Sequence, residues 1–184
     1  SDLTVCQVSL PGGGSYPIQV IMLGNPSNDA PGVGYFGGVH GLERVGAAVV
    51  LAYPQSLVMR LTWDSALHRQ LESVRMVFMP LVNPGGMVLG TRANPNGVDL
   101  MRNAPVQATE KVPFLVGGQR FSARFPWYRG AAGAAMEQES QALCEVVTSE
   151  LLQREFSLCV DCHSGFGSSD RIWFPYAHTR APIA

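Results

Sequence analysis

The chain has 184 residues, 46% of them apolar and 15% charged, and a formal net charge of -1. That is enough for one α/β-sized domain with a buried core, and the composition is globular rather than disordered. No Lys/Arg-rich block is present to bind nucleic acid or an anionic membrane, and the longest apolar run, 45–53, falls well short of the roughly 18 residues of a spanning helix.

The opening Ser-Asp-Leu-Thr lacks the basic and apolar regions of a signal peptide. The chain starts without Met and stops at Ala-Pro-Ile-Ala just after an apolar stretch, so the C-terminal end reads as a cut and the true N-terminus is open. Cys6, Cys144, Cys159 and Cys162 are too sparse for a disulfide scaffold. A reducing compartment, the cytoplasm, is the expectation.

A glycine-rich turn at 12–14 precedes a predicted strand over 17–23, and a polar loop covers 24–32. Residues 33–39 read as a second short strand. Helical character follows over 42–59, with Val45, Val49 and Ala52 on one face, and Pro54 is expected to kink or end that helix. Trp63-Asp64-Ser65 is a plausible helix start, with a short polar helix to Ser73. Residues 74–82 form the clearest buried strand, closed by Asn83-Pro84-Gly85-Gly86. Residues 83–105 read as loop, and 104–135 as a long aromatic-bearing excursion of the kind that forms lids or rims. A helix over 136–155 has Glu near its start, as the helix dipole favours. A final buried strand over 156–160 makes Cys159 a core residue.

Alternating strands and helices predict an α/β fold, with a mainly parallel, mixed central sheet and helices on both faces. One domain is expected over 1–184, without repeat or linker. Such sheets place their sites at the carboxyl ends of strands. His40, Asn83 and His163 each follow a predicted strand and share that edge.

Several literal motif matches lack their structural context. Gly32-Val33-Gly34-Tyr35-Phe36-Gly37 spells a dinucleotide fingerprint but follows a polar loop and is itself half strand. Gly12-Gly13-Gly14 has no following Lys, and no G-x-S-x-G occurs. Cys159-Val160-Asp161-Cys162-His163 matches a c-type haem attachment site. A strand is the wrong setting for it, and export and a second axial ligand would be needed; a thiol redox pair is weaker still.

A metal site is the better reading. His40 and Glu43, three residues apart at a turn into a helix, can face one point, and His163 ends another buried strand. Catalytic zinc takes three such His and Glu ligands with a fourth position open. A lone H-x-x-E is otherwise an ordinary helix start, and His68 and His178 read as solvated side chains.

In order along the chain stand His40-Gly41-Leu42-Glu43, Asn83-Pro84-Gly85-Gly86, Arg92, Gly97-Val98-Asp99-Leu100-Met101-Arg102-Asn103, and a strand ending in His163-Ser164. Together, over about residues 34–166, they resemble the zinc carboxypeptidase (M14 metallopeptidase) family, particularly its short bacterial members. The resemblance implies an incomplete carboxypeptidase-like catalytic domain that hydrolyses peptide or peptide-like amides with a zinc-activated water. It implies one zinc ion held by His40, Glu43 and His163, with Asp99 hydrogen-bonded to the first His. It implies Arg92 as the group that stabilises the oxyanion, and Arg102 with Asn103 on the substrate side, Arg102 gripping a terminal carboxylate.

Three departures stand out. Gly85 replaces an Asp of the family pattern. Met101 replaces an Asn that helps hold the substrate carboxylate, which puts strict C-terminal specificity in question. No Glu follows His163, where the family places its general base further on; Asp170 comes too early, and Tyr176 cannot be matched to the specificity-loop Tyr. An N-acyl amino acid deacylase resembling the aspartoacylase and succinylglutamate desuccinylase branch is the nearest alternative, and a non-catalytic binding module the next.

Overall fold

The computed structural model describes residues 2–164 together with 169, 171, 172 and 181. The expectations placed on Asp170, Tyr176 and His178 lie outside the described residues. Among the described residues there are five strands, β1 (Asp2–Ser9), β2 (Ser15–Gly24), β3 (Gly32–Gly37), β4 (Arg75–Met79) and β5 (Ser157–Cys162), and four helices. The helices are α1 (Arg44–Arg60), α2 (Ser65–Glu72), α3 (Pro84–Leu89) and α4 (Gln138–Glu150). A 3₁₀ turn covers Leu100–Arg102.

The sheet order is β1-β2-β4-β3-β5. β1 and β2 form an antiparallel hairpin and β2 runs antiparallel to β4, while β3 lies between β4 and β5 and is parallel to both. The sheet is therefore mixed, and its parallel part carries the carboxyl edge at which His40 and His163 emerge.

β4 shows why helices are needed on both faces, because it is buried on both. Val77 and Met79 join Ile18, Val20, Phe36 and the α4 residues Ala142 and Val146 in one core. Met76 and Phe78 join Val50 and Leu57 of α1 and Leu67 and Leu71 of α2 in the other. Alternation along one strand thus assigns each layer its partner.

Several expectations are corrected. Residues before the glycine turn, to which no element was assigned, form β1, paired antiparallel with β2 with a register shift between Thr4 and Cys6. α3 is a helix rather than loop: Asn83 caps it by accepting from the Gly86 N–H at 2.8 Å, Pro84 sits in its first turn, and Gly90 closes it in the left-handed conformation at φ 66°. Pro54 neither ends nor divides α1, which runs on to Arg60. Gly46, Val50, Pro54 and Leu57 form its buried stripe, so packing against the sheet outweighs the lost backbone bond. The face bearing Val45, Val49 and Ala52 is solvent-exposed. Cys159 is also exposed, because β5 pairs with β3 on one side and much of its surface is uncovered.

No single helix among the described residues is long and apolar enough to cross a membrane. All four cysteines are free thiols.

Candidate metal centre

Just past the end of β3 at Gly37, the chain turns His40 inward, where it is 1% exposed. The turn is tight because it lies on the start of α3: a Cβ at Gly41 would sit 2.0 Å from the Gly86 carbonyl carbon. Glu43 is the residue that should cap α1, yet its side chain makes no cap hydrogen bond. Its carboxylate turns back instead, with Oε1 2.8 Å from His40 Nδ1 and Oε2 accepting from the Ser164 N–H at 3.0 Å. A helix-capping group has been given up to a site, a trade that points to function.

His163 follows β5 and completes the cluster. Its Nε2 lies 3.1 Å from His40 Nδ1 and 3.8 Å from Glu43 Oε2. One ligand-type atom from each of the three residues falls within 4.8 Å of the others.

The other nitrogen of each imidazole is also committed. His40 Nε2 is 3.1 Å from Asp99 Oδ1, and His163 Nδ1 is 2.7 Å from Asp161 Oδ2. A carboxylate that accepts the proton of one ring nitrogen leaves a lone pair on the opposite one. Both lone pairs then face the Glu43 carboxylate, an arrangement that calls for a cation. The spacing suits a small one, because ligands ~2.0–2.1 Å from a tetrahedral zinc stand about 3.3 Å apart. The two imidazole nitrogens stand 3.1 Å apart, and the Glu43 carboxylate approaches one with Oε1 at 2.8 Å and the other with Oε2 at 3.8 Å, distances of that order.

Charge balance holds the cluster together. Burial resists protonation of His40, but the protonated ring donates to both Asp99 and Glu43, and these bonds outweigh burial and raise its pKa above the usual histidine value; a cation bound at Nδ1 would take the place of that proton. Burial likewise opposes ionisation of Asp99, yet the hydrogen bond to His40 and the charges of His40, Arg102 and Arg92 hold its carboxyl below the ordinary range. For Glu43 burial again acts upward, and the bonds from His40 and the Ser164 amide bring the net shift down.

Arg92 donates through Nε to Asp99 Oδ2 at 3.1 Å, and its Nη1 stands 4.0 Å from Glu43 Oε1. Its backbone carbonyl accepts from Gly41 N and Asn83 Nδ2, tying the Arg92 loop to the His40 turn. Arg102 places Nη1 3.8 Å from Asp99 Oδ2 and donates to the Val116 carbonyl through Nε and Nη2, which fastens the 104–135 excursion beside the centre. Asn103 is buried, with its amide donating to Arg129 O and accepting from Glu137 N, so it braces the loop behind Arg102. Met101 is 45% exposed. At Gly85 the Pro95 ring fills the space a side chain would need, its Cγ 2.4 Å from where a Cβ would stand, which explains the missing Asp in terms of packing. His68, on α2, bonds to the Leu61 carbonyl at the end of α1, away from this cluster.

Two contributors had no expected role in the site, although Asn83 was expected on the same sheet edge. Asp161 could have been noticed from its place two residues before His163, since alternation in a strand puts both on one face. Asn83, fully buried, caps α3 through Oδ1 and donates through Nδ2 to Val39 O and Arg92 O, joining three segments of the site. Its cap signal was legible; its second set of partners was not.

Two imidazoles and a carboxylate gathered at the carboxyl edge of a mixed α/β sheet, with an arginine beside them, define a candidate metal centre of the hydrolase type. Residues 13–184 match the family Peptidase_M14, zinc carboxypeptidase. Carboxypeptidase D of Anas platyrhynchos is 25% identical over 146 residues, covering 74% of this chain and 9% of that protein. Carboxypeptidase SOL1 of Arabidopsis thaliana is 32% identical over 95 residues, covering 50% of this chain and 19% of that protein. Among solved structures, bovine thrombin-activatable fibrinolysis inhibitor in complex with tick carboxypeptidase inhibitor is 20% identical with a TM-score of 0.67, over 98% of this chain and 58% of that one. Carboxypeptidase A from Helicoverpa armigera is 20% identical with a TM-score of 0.66, over 91% and 41%. The structural likeness shows a shared fold, and the chain spans well under two thirds of the length of these relatives. The chain belongs to the zinc carboxypeptidase family.

Proposed function

We propose that this chain carries the zinc-binding part of an amide hydrolase of carboxypeptidase type, acting on peptides or peptide-like amides. The observation that carries the reading is the convergence of His40, Glu43 and His163, with each imidazole oriented by its own carboxylate. Zinc, when bound, polarises a carbonyl and makes water nucleophilic near neutral pH.

The remaining chemistry belongs to the chain. Asp99 and Asp161 hold the two imidazoles in the ligating tautomer. Arg92 supplies a fixed positive charge beside the centre, where charge builds on the carbonyl oxygen. Arg102, half-buried, holds the Val116 carbonyl through Nε and Nη2 and offers its remaining Nη1 and Nη2 hydrogens to a substrate carboxylate. The general base is a carboxylate that the described residues do not place at the site; Glu43, Asp99 and Asp161 are already engaged.

The second reading, an N-acyl amino acid deacylase, is favoured by Met101. An apolar thioether beside Arg102 removes one donor to a terminal carboxylate and offers surface to an acyl chain. Parallel assays of the zinc-loaded intact protein on C-terminal peptides and on N-acyl amino acids separate the two. Hydrolysis of peptides supports the first reading, and of N-acyl amino acids alone the second. Zinc uptake with no hydrolysis of either overturns both in favour of a binding module.

A further inference from the structure

Glu139 is a buried carboxylate to which the chemistry above gives no task. It lies at the start of α4, 2% exposed, and its carboxylate accepts from the Nδ2 of Asn94, 3.2 Å from Oε1 and 3.3 Å from Oε2. The same Nδ2 donates to Glu137 Oε2 at 2.8 Å, so both amide hydrogens of Asn94 end on α4 carboxylates.

Asn94 is itself saturated. Its Oδ1 accepts from Asn96 N at 3.1 Å and Val98 N at 3.0 Å. Its backbone N–H reaches Val98 O and its carbonyl accepts from Gly97 N, both at 2.9 Å. These bonds close the tight loop that separates Arg92 from Asp99, the pair joined at 3.1 Å beside the metal cluster. On the far side of Asp99 the same helix start is fastened again, where Glu137 N donates to Asn103 Oδ1. The first residues of α4 therefore grip both ends of the segment that carries Arg92, Asp99 and Arg102.

A buried carboxylate is a costly way to accept a hydrogen bond, and Gln would accept one with no charge to desolvate. A charged acceptor holds its donor more firmly, roughly twice as strongly as a neutral one. The chain thus carries a destabilising charge where the return is stiffness of one loop.

We infer that Glu139, acting through Asn94, is a positioning residue that fixes Arg92 and Asp99 against the metal cluster. This rests on the zinc hydrolase reading above. Glu139 touches neither substrate nor metal ligand; it sets the geometry of groups that do.

The test compares wild type, Glu139→Gln and Asn94→Ala of the intact protein in three measurements: zinc affinity by chelator competition, melting temperature, and kcat and KM on the hydrolysed substrate. Glu139→Gln is expected to melt at or above the wild-type temperature while zinc affinity and kcat each fall about 10-fold, the scale of lost outer-shell support. KM should change little. Asn94→Ala should lose at least as much of both. Variants that keep wild-type zinc affinity and kcat overturn the proposal and leave the hydrolase reading standing. A Glu139→Gln protein whose affinity and rate fall only with its melting temperature also overturns it, reducing Glu139 to a structural residue. Wild-type protein that takes up no zinc overturns the functional reading and this proposal together.

Discussion

His40 is the residue on which the site turns, because both of its nitrogens are used and it is almost wholly buried. Asp99 fixes which nitrogen faces the cluster. Asp99→Asn keeps the size but can present its amide nitrogen to His40, so zinc affinity should drop about 10- to 100-fold; competition with a chromogenic chelator reads this directly. Met101 tests substrate choice from the other side. Met101→Asn adds a donor beside Arg102, and should lower KM for C-terminal peptide substrates with kcat nearly unchanged. His40, Glu43 and His163 stood out as a candidate ligand set from residue type and spacing, whereas the roles expected of Arg92, Asp99 and Arg102 came from the resemblance of their loop motifs to the family. Asp161 and Asn83 were harder to see because their importance lies in partners distant in sequence, or in a pairing that only strand geometry reveals.

Among the elements, α3 and β1 were missed for different reasons. α3 is only six residues long and holds two glycines, so composition argued for loop while the Asn83 cap, Pro84 and Gly90 all argued for helix. β1 hid before a glycine turn that joins it to β2 as a hairpin. α1 shows tertiary packing overriding a local rule, with Pro54 inside its buried stripe. Asn83→Ala should cost more than the ~1 kcal/mol of an ordinary cap, since its amide also leaves the Val39 and Arg92 carbonyls short of a donor. Denaturant unfolding measures that. α4 supplies a pH prediction. Burial raises the pKa of Glu139, opposed by its own backbone N–H and by Asn94 and reinforced by Glu137. A carboxyl raised in the folded state contributes its stability below its unfolded pKa and loses it as pH rises through the folded value. The melting-temperature advantage of Glu139→Gln over wild type should therefore be small near pH 4 and grow toward pH 7.

At the scale of the whole molecule, the two cores on either face of β4 hold the sheet, and the metal centre sits at its edge where three chain segments meet. Strand alternation made the α/β class readable, while the antiparallel β1–β2–β4 half depended on pairings that the sequence does not spell out. Because the His40–Glu43 pair and His163 come from segments far apart in the chain, an ion bound by all three favours the folded state and not the unfolded one. Zinc at about 100 times its Kd should stabilise the protein by about 2.7 kcal/mol, seen as a rise in melting temperature that a chelator reverses. The most direct measurement is metal stoichiometry, by elemental analysis after equilibrium dialysis against zinc, for the intact protein and for His40→Ala. One zinc per chain in wild type, with that ion lost from His40→Ala, is the expected result. No zinc in wild type, or an equal amount in His40→Ala, would contradict a metal centre built on His40, Glu43 and His163.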